Sequence, residues 1–163
     1  MILNPPHLLC KSSRLSEYNQ RLLQTVELFV STAEDVQVQH RGNGARKIVD
    51  GQVGIRCMAC AQRGSATSAW CRYPGSLKVF PHNIYVLMEK HALQCTAVSR
   101  ERRIQLKELK KKTTSQSMRK GALGLPVYLK EIYEYYQMED APQGGVQLKT
   151  SASTTRVGVV LDI

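Results

Sequence analysis

Apolar side chains recur every three or four residues in the first part of the chain and predict an amphipathic helix over residues 13–35. Polar side chains such as Arg21, Gln24 and Glu27 fall between them and are expected to face solvent. Before this helix, Pro5 and Pro6 oppose helix formation, so residues 1–12 are predicted to form a flexible arm. The apolar face of the helix consists of Leu15, Tyr18, Leu22, Val26, Phe29 and Val30.

After this helix the apolar pattern changes to one of alternation. Val53–Cys57 alternates, contains β-branched residues and predicts a short strand, and Ser76–Phe80 predicts a second. A helix is then expected to begin near His82 or Asn83, because apolar residues follow at helical spacing. The large apolar residues of this segment are few, Trp70 among them, so its core is expected to be small. The order strand, strand, helix predicts a ββα core within residues 36–98.

Two further helices are predicted after this core. Residues 99–120 form a basic helix and a linker, and the sequence leaves open whether this helix continues the preceding one or breaks around Thr96–Ser99. Pro126 suits a first helical turn, which places a tyrosine-rich helix within residues 121–139. From residue 140 to residue 163, glycine, proline, serine and threonine are frequent and predict a flexible tail.

The net charge of +10 is distributed unevenly and is concentrated in one stretch of the chain. Residues 100–120 carry nine Lys/Arg and two Glu, a net charge of +7. Such a concentration attracts polyanions, above all nucleic acid, although a basic helix face is also a common means of staying in solution. No stretch has the roughly 18 apolar residues that span a bilayer. The N-terminus lacks the pattern of a secretory signal, so we expect reduced cysteines.

Four of the five cysteines and two of the four histidines lie within residues 51–95. Cys57 and Cys60 are separated by two residues, a spacing at which one turn presents two thiolates to one ion. His91 and Cys95 are four residues apart and lie on one face of a helix. Three sulfurs and one imidazole form a closed tetrahedral set for one structural Zn²⁺. The prediction is therefore an α+β fold: a small zinc-finger-like ββα core flanked by an N-terminal amphipathic helix and C-terminal helices, with disordered termini.

Other interpretations of these residues are weaker. A redox dithiol at Cys57 and Cys60 is expected to open a regular helix, whereas turn-forming residues follow here. His82 is an alternative ligand to His91, although its place beside Pro81 favours a surface or capping role. Cys71 and Cys10 fit neither ligand pair and are interpreted as spare thiols.

The segment "GQVGIRCMAC", the step "VFP" and "HALQC" together resemble a family of uncharacterised zinc-finger-like proteins of single-celled algae, above all diatoms. The family pattern is G-x-V-G-I-x-C-x-x-C, an aromatic-proline step that opens a helix, and H-x-x-x-C. The resemblance implies a zinc-bound fold of the CCHC type and is strongest over residues 51–95. On this pattern the four ligand positions are Cys57, Cys60, His91 and Cys95.

These features favour a zinc-stabilised nucleic-acid-binding protein of the nucleus, with DNA preferred over RNA and the cytoplasm as the alternative location. The alternative function is a protein-interaction adaptor that binds a partner through the tyrosine-rich helix 126–138. No catalytic constellation is recognisable, so we expect no enzyme, no small-molecule substrate and no membrane partner. Candidate base contacts are Arg72, Lys78, Asn83 and Lys90, and candidate phosphate contacts are Arg100, Arg102, Arg103, Lys107, Lys110, Lys111 and Lys112.

Overall fold

The computed structural model describes residues 2–3, 15–39, 47–63, 70–112 and 115–149 and has an α+β fold. The predicted tail beyond residue 149 and most of the predicted arm lie outside the described residues. The helices are α1 (Glu17–Leu23), α2 (Ala33–Gln39), α3 (Met58–Gln62), α4 (Phe80–Val86), α5 (Arg100–Lys112) and α6 (Ser115–Tyr135). The strands are β1 (Ile2–Leu3), β2 (Val26–Val30), β3 (Val53–Cys57), β4 (Cys71–Arg72), β5 (Met138–Asp140) and β6 (Val146–Leu148).

Four strands form an antiparallel sheet in the order β1-β2-β3-β4. The central pair, β2 and β3, is aligned from Val26 opposite Cys57 to Val30 opposite Val53. Nearly every side chain of these two strands is buried, as expected for strands covered on both faces. The exceptions, Val30 and Arg56, are half-buried, and the Arg56 Nε donates to the buried Glu27 Oε1 at 2.5 Å across the strands.

The predicted helix over residues 13–35 is wrong after Leu23. Helix α1 ends there, β2 follows, and α2 begins at residue 33. The backbone N–H and the hydroxyl of Thr25 both donate to the Leu22 carbonyl and close the turn between helix and strand. The spacing of Val26, Phe29 and Val30 fits a helix face, whereas their β-branched and aromatic side chains also suit a strand. Pairing with β3 decides in favour of the strand.

The predicted strand Val53–Cys57 is confirmed, whereas the predicted strand Ser76–Phe80 is wrong. Residues 77–79 form a 3₁₀ turn that leads into α4 at Phe80. The Leu77 N–H donates to the carboxylate of Asp140 instead of to a neighbouring strand. Phe80 is fully buried and packs edge-on against Tyr133 of α6, which fixes the start of α4 in the core.

The sequence left open whether the helix that follows the core continues into the basic helix or breaks around Thr96–Ser99, and the structure has the break. The chain turns between Leu93 and Ser99, so α5 is separate from the preceding helix. Helix α6 is longer than expected and contains Pro126 in its interior. Residues 138–148, in part assigned to a flexible tail, form the β5–β6 hairpin. A bridge between Gln52 and Gln147 joins the hairpin to the main sheet. None of the described helices is both long enough and apolar enough to cross a bilayer.

The buried side chains form two clusters. The larger cluster combines α1, the sheet, α4, α5 and α6, with Leu22, Ile55 and Leu129 fully buried. The smaller cluster consists of Cys57, Cys95 and Val98, with small side chains around it. The second cluster is poor in apolar surface, and it lies where two of the predicted metal ligands meet.

Gly54 tests the packing of the central strands. A Cβ at this position meets ring atoms of Phe29, the residue opposite, at 2.6 Å and the Tyr73 ring at 3.0 Å. We expect Gly54→Ala to lower the free energy of unfolding by about 1–3 kcal/mol, measured by urea denaturation, because the added methyl group overpacks the core. In a Phe29→Leu background the same change is expected to cost less. An equal cost in both backgrounds contradicts this account of the contact.

Candidate metal centre

Four soft ligand side chains converge from two separate parts of the chain. Cys57 ends β3 and Cys60 lies in the short helix α3 that follows it directly. His91 belongs to a π-helical turn, Leu87–Ala92, and Cys95 lies in the turn after it. Their ligand atoms all lie within 4.8 Å of one another. Among the residues that the structure describes, these four form the group able to hold one metal ion.

The distances between the ligand atoms fit a tetrahedral site. Ligands about 2.3 Å (sulfur) and about 2.0–2.1 Å (nitrogen) from one ion lie about 3.8 Å (sulfur to sulfur) or about 3.6 Å (sulfur to nitrogen) apart at tetrahedral angles. The Sγ atoms of Cys57 and Cys95 are 3.9 Å apart and those of Cys60 and Cys95 3.4 Å. The Cys60 Sγ lies 3.3 Å from His91 Nε2. The three cysteines are free thiols, so they are available as ligands.

Backbone N–H groups also point at the sulfur atoms. The N–H of Cys60 donates to the Cys57 sulfur, and the N–H of Trp70 donates to the Cys60 sulfur. The N–H groups of Ala97 and Val98 donate to the Cys95 sulfur. Donors aimed at sulfur stabilise its deprotonated form, which is the form that binds a metal. The turns around the cluster are therefore arranged for thiolates.

Burial works against charge on the same groups. It raises the pKa of the Cys57 thiol to about 12 and also raises the pKa of the Cys60 thiol. Burial opposes ionisation of Cys95 as well, but hydrogen bonds to its sulfur outweigh burial and lower its pKa. Burial lowers the pKa of His91 and so favours the neutral imidazole, which can act as a ligand. Three adjacent thiols, two of them buried and that of Cys60 half-buried, need a cation to ionise together, and the cluster could surround one.

An anchored π-turn presents His91. Glu89 lies within this turn, accepts a hydrogen bond of 2.9 Å from the Tyr18 hydroxyl of α1, and forms an ion pair with Lys110 of α5. The carboxylate thus joins three elements in a partly buried position. π-Helical turns are rare and are found mostly at functional sites, where the extra residue reorients a side chain. Here the turn places His91 beside Cys57, which ends β3, and Cys60, which lies in α3.

Trp70 covers the outside of the centre. Its ring stacks on the His91 imidazole, with the ring centroids 4.8 Å apart and the planes 17° from parallel. The Trp70 carbonyl also accepts the N–H of Cys57. The expectation that Trp70 belongs to the apolar core is wrong, because 43% of the residue is exposed. The sequence did contain a signal for a position at the surface beside the centre, because Trp70 lies between the two ligand pairs and follows a stretch of small, polar residues.

The alternative ligand His82 and the spare thiol of Cys71 lie outside the cluster. His82 is exposed on α4, and within the described residues it does not join the group that His91 completes. Cys71 begins β4 and is half-buried, opposite Arg56 of β3. The cluster therefore contains the predicted set of Cys57, Cys60, His91 and Cys95, without exchange of a member.

The predicted phosphate contacts of α5 divide between its two sides. Arg100, Lys107, Lys111 and Lys112 are exposed. Arg102, Arg103 and Lys110 are half-buried and face the protein. The Arg102 guanidinium donates to Gln24 Oε1 at 2.7 Å, which links α5 to the end of α1.

The predicted base contacts do not form one surface. Lys90 is exposed and lines a groove of about 510 Å³ beside the metal cluster, together with Arg63 and Trp70. Arg72 and Asn83 line a different groove. Lys78 is exposed on the 3₁₀ turn.

No family model, curated protein or solved structure matches this chain. The capacity to bind a metal therefore stands on the geometry and the donor set of the four side chains.

Metal content tests the centre directly. We expect one metal ion per purified chain by elemental analysis, and its loss in Cys57→Ser and in His91→Ala, because each change removes one of four ligands. Cys71→Ser is the matched control, since it replaces a thiol outside the cluster and is expected to retain the ion. Retention in Cys57→Ser, or loss in Cys71→Ser, contradicts the assignment.

Trp70 provides an optical test, because it is the only tryptophan of the chain. We expect removal of the metal by a chelator to shift the tryptophan emission to longer wavelength, since the ring loses its packing on His91 and gains contact with water. The shift is expected to follow metal release in both the unmodified protein and Cys71→Ser. Metal release without a change in emission argues against the stacked arrangement.

Proposed function

We propose that this chain is a zinc-stabilised nucleic-acid-binding protein, with Zn²⁺ as its one structural ion. Three thiolates and an imidazole are the soft donors that zinc prefers, and four protein ligands complete its tetrahedral shell. A closed shell of this kind supplies folding energy and leaves no position for substrate, which supports a binding role rather than catalysis. The four residues that would hold the ion are Cys57, Cys60, His91 and Cys95.

The observation that carries the proposal is the exposed basic face of α5. Arg100, Ile104, Lys107 and Lys111 follow one another at spacings of four, three and four residues, and all are exposed. These spacings align side chains along one side of a helix. We call the three cations of this row, Arg100, Lys107 and Lys111, the basic stripe. Cations in such a row match the regular phosphates of a nucleic acid backbone and gain affinity by releasing counterions.

The opposite side of α5 is fixed to the protein. Leu106 is fully buried, and Arg102 and Lys110 bind Gln24 and Glu89 through the contacts described above. A helix held in this way presents its outward charges in a fixed direction. The basic stripe therefore differs from a freely mobile basic tail, which loses more conformational entropy when it binds.

The metal centre lies directly before α5 in the chain. Cys95 accepts the N–H groups of Ala97 and Val98, and Ser99 then caps the helix through a 3.2 Å hydrogen bond from the Arg102 N–H to its hydroxyl. Ligation of Cys95 would fix this turn and, through it, the direction in which α5 begins. In this proposal the ion organises the nucleic-acid-binding surface without contacting the nucleic acid.

DNA is the preferred ligand over RNA in this proposal, and the nucleus is the expected location, with the cytoplasm as the alternative. In this proposal the choice of DNA and of the nucleus is based on the basic charge and the zinc-finger-like core. The stripe offers phosphate contacts, which position a protein on a duplex without selecting a base sequence.

The adaptor alternative has less support, because the tyrosines of α6 are largely used inside the protein. Tyr128 is fully buried, and Tyr133 packs on Phe80. Tyr136, directly after the helix, is half-buried, which leaves Tyr135 as the exposed tyrosine of α6 in the described residues, with 62% of the residue exposed. A binding hot spot needs several large side chains together, and one exposed tyrosine is a small basis for it.

Removing charge from the basic stripe at exposed positions, where the fold is expected to be preserved, tests its role in DNA binding. We expect Lys107→Gln/Lys111→Gln to weaken binding to duplex DNA roughly ten- to hundred-fold at about 0.1 M salt, because two phosphate contacts are lost. The slope of log K against log salt concentration is expected to become shallower by about 1.8. Fluorescence anisotropy with a labelled duplex at several salt concentrations measures both quantities.

The matched control is Lys130→Gln/Lys149→Gln, which removes two exposed lysines from α6 and the end of the hairpin. It changes the net charge by the same amount and is expected to leave affinity and salt slope nearly unchanged. If the two double variants behave alike, the stripe is not the binding surface. If the unmodified protein shows no salt-dependent affinity for DNA or RNA, the proposed function is wrong.

A further inference from the structure

A second groove lies between β4, the start of α4 and the turn of the β5–β6 hairpin. It has a volume of about 620 Å³, within the usual range for small-ligand sites. The described residues that line it include two cations, Lys47 and Arg72, together with Tyr73 and Asn83, and contain no aspartate or glutamate. A concave surface with two cations and no acid attracts an anion.

Arg72 is the central residue of this groove. Its Nε is buried and has no hydrogen-bond partner in the described part of the chain. The guanidinium carbon lies 6.0 Å from the centroid of the Trp70 ring, so the side chain is supported on one side by an aromatic surface. The buried Nε is not itself open to the groove, so a bound anion would pair with the other N–H groups of the guanidinium and offset its charge.

The other polar groups suit a hydrogen-bonding ligand. Asn83 donates from its side-chain nitrogen to the Val79 carbonyl at 2.9 Å, which holds its amide in place at the groove. Burial raises the pKa of Tyr73, so its hydroxyl stays protonated and can donate. Lys47 is exposed and is able to turn toward a ligand.

We propose that this groove binds a phosphate monoester of nucleotide size, with Arg72 as the principal anion contact and Lys47 as the second. A phosphate monoester carries nearly two negative charges at neutral pH, which matches two cations better than a single carboxylate does. The planar guanidinium forms paired hydrogen bonds with phosphate oxygens. The monoester is either a free mononucleotide or the terminal phosphate of a nucleic acid strand. Because the groove shares no residue with the basic stripe, the inference does not depend on the proposed function.

Calorimetric titration of the full, metal-loaded chain tests the proposal with AMP as the probe and adenosine as the ligand without phosphate. AMP is expected to bind and adenosine is not. We expect Arg72→Gln to weaken AMP binding about ten-fold or more, since charged hydrogen bonds are lost, and Arg72→Lys to restore part of the affinity. Lys47→Gln is expected to weaken binding to a smaller extent.

Lys78→Gln is the matched control, because Lys78 is an exposed cation of the neighbouring turn that does not line the groove. It is expected to bind AMP like the unmodified protein. Metal content and melting temperature verify that each variant is folded, and Lys47→Gln, at an exposed position, keeps the test valid if Arg72→Gln fails to fold. Absence of AMP binding, equal binding of adenosine, or equal effects of Lys47→Gln and Lys78→Gln overturn the proposal.

Oligonucleotides identify the source of the phosphate. Tighter binding of a 5′-phosphorylated strand than of its 5′-hydroxyl form, lost in Arg72→Gln, assigns the groove to strand ends. Equal binding of both strands, with AMP still bound through Arg72, assigns it to free nucleotides. Failure of AMP binding leaves the salt-dependent affinity of the basic stripe unaffected, so the two proposals fail separately.

Discussion

The convergence of three thiols and one imidazole is the constraint on which the arrangement of this protein depends. It joins the end of β3 and the start of α3 to a segment more than thirty residues later, where the π-turn leads toward α5. The apolar contacts around these side chains are few: Val98 is buried beside Cys57 and Cys95, Ala59 and Ala97 pack around them, and Trp70 stacks on His91. Burying one valine contributes about 1.5–3 kcal/mol, whereas ligation at a structural zinc site contributes on the order of 10 kcal/mol. A bound metal ion would therefore contribute more than apolar packing at this junction.

A second junction lies on the other side of the same segment. The carboxylate of Glu89 receives the Tyr18 hydroxyl and the Lys110 ammonium, so it joins the π-turn to α1 and to α5. His91, two residues later, belongs to the metal cluster. The short π-turn is consequently held at Glu89 by the contacts with Tyr18 and Lys110, and His91 belongs to the ligand cluster. Because Lys110 of α5 forms the ion pair with Glu89, the basic stripe is oriented by a polar interaction as well as by the burial of Leu106.

The sequence predicted the α+β fold class and the four side chains of the metal cluster, but it placed the ends of several helices and strands wrongly, and the reason is physical. Ligand chemistry is local: the spacing of Cys57 to Cys60 and of His91 to Cys95 restricts what each pair can do, whatever surrounds it. By contrast, Val26 and Phe29 suit one face of a helix and also a buried strand, and only pairing with β3 decides between them. The start of α4 is decided in the same way, because Phe80 packs on Tyr133 from a distant helix. The orphaned Nε of Arg72 also depends on the tertiary structure and has no signature in the sequence.

The candidate metal centre and the two cationic surfaces consist of different residues, which is compatible with a centre that supports the fold and surfaces that bind a ligand. Four protein ligands around one ion would leave no position for a substrate. The exposed cations of α5 lie on the side of the helix opposite Leu106, and Arg72 lies in a groove that contains none of the four ligands. Cations placed directly against the thiolates would stabilise the same negative charge as the metal and compete with it. Lys90 and Arg63, the cations of the groove beside the centre, are exposed, so water screens their charge from the sulfur atoms. The basic stripe and the groove of Arg72 share no residue with the four candidate ligands.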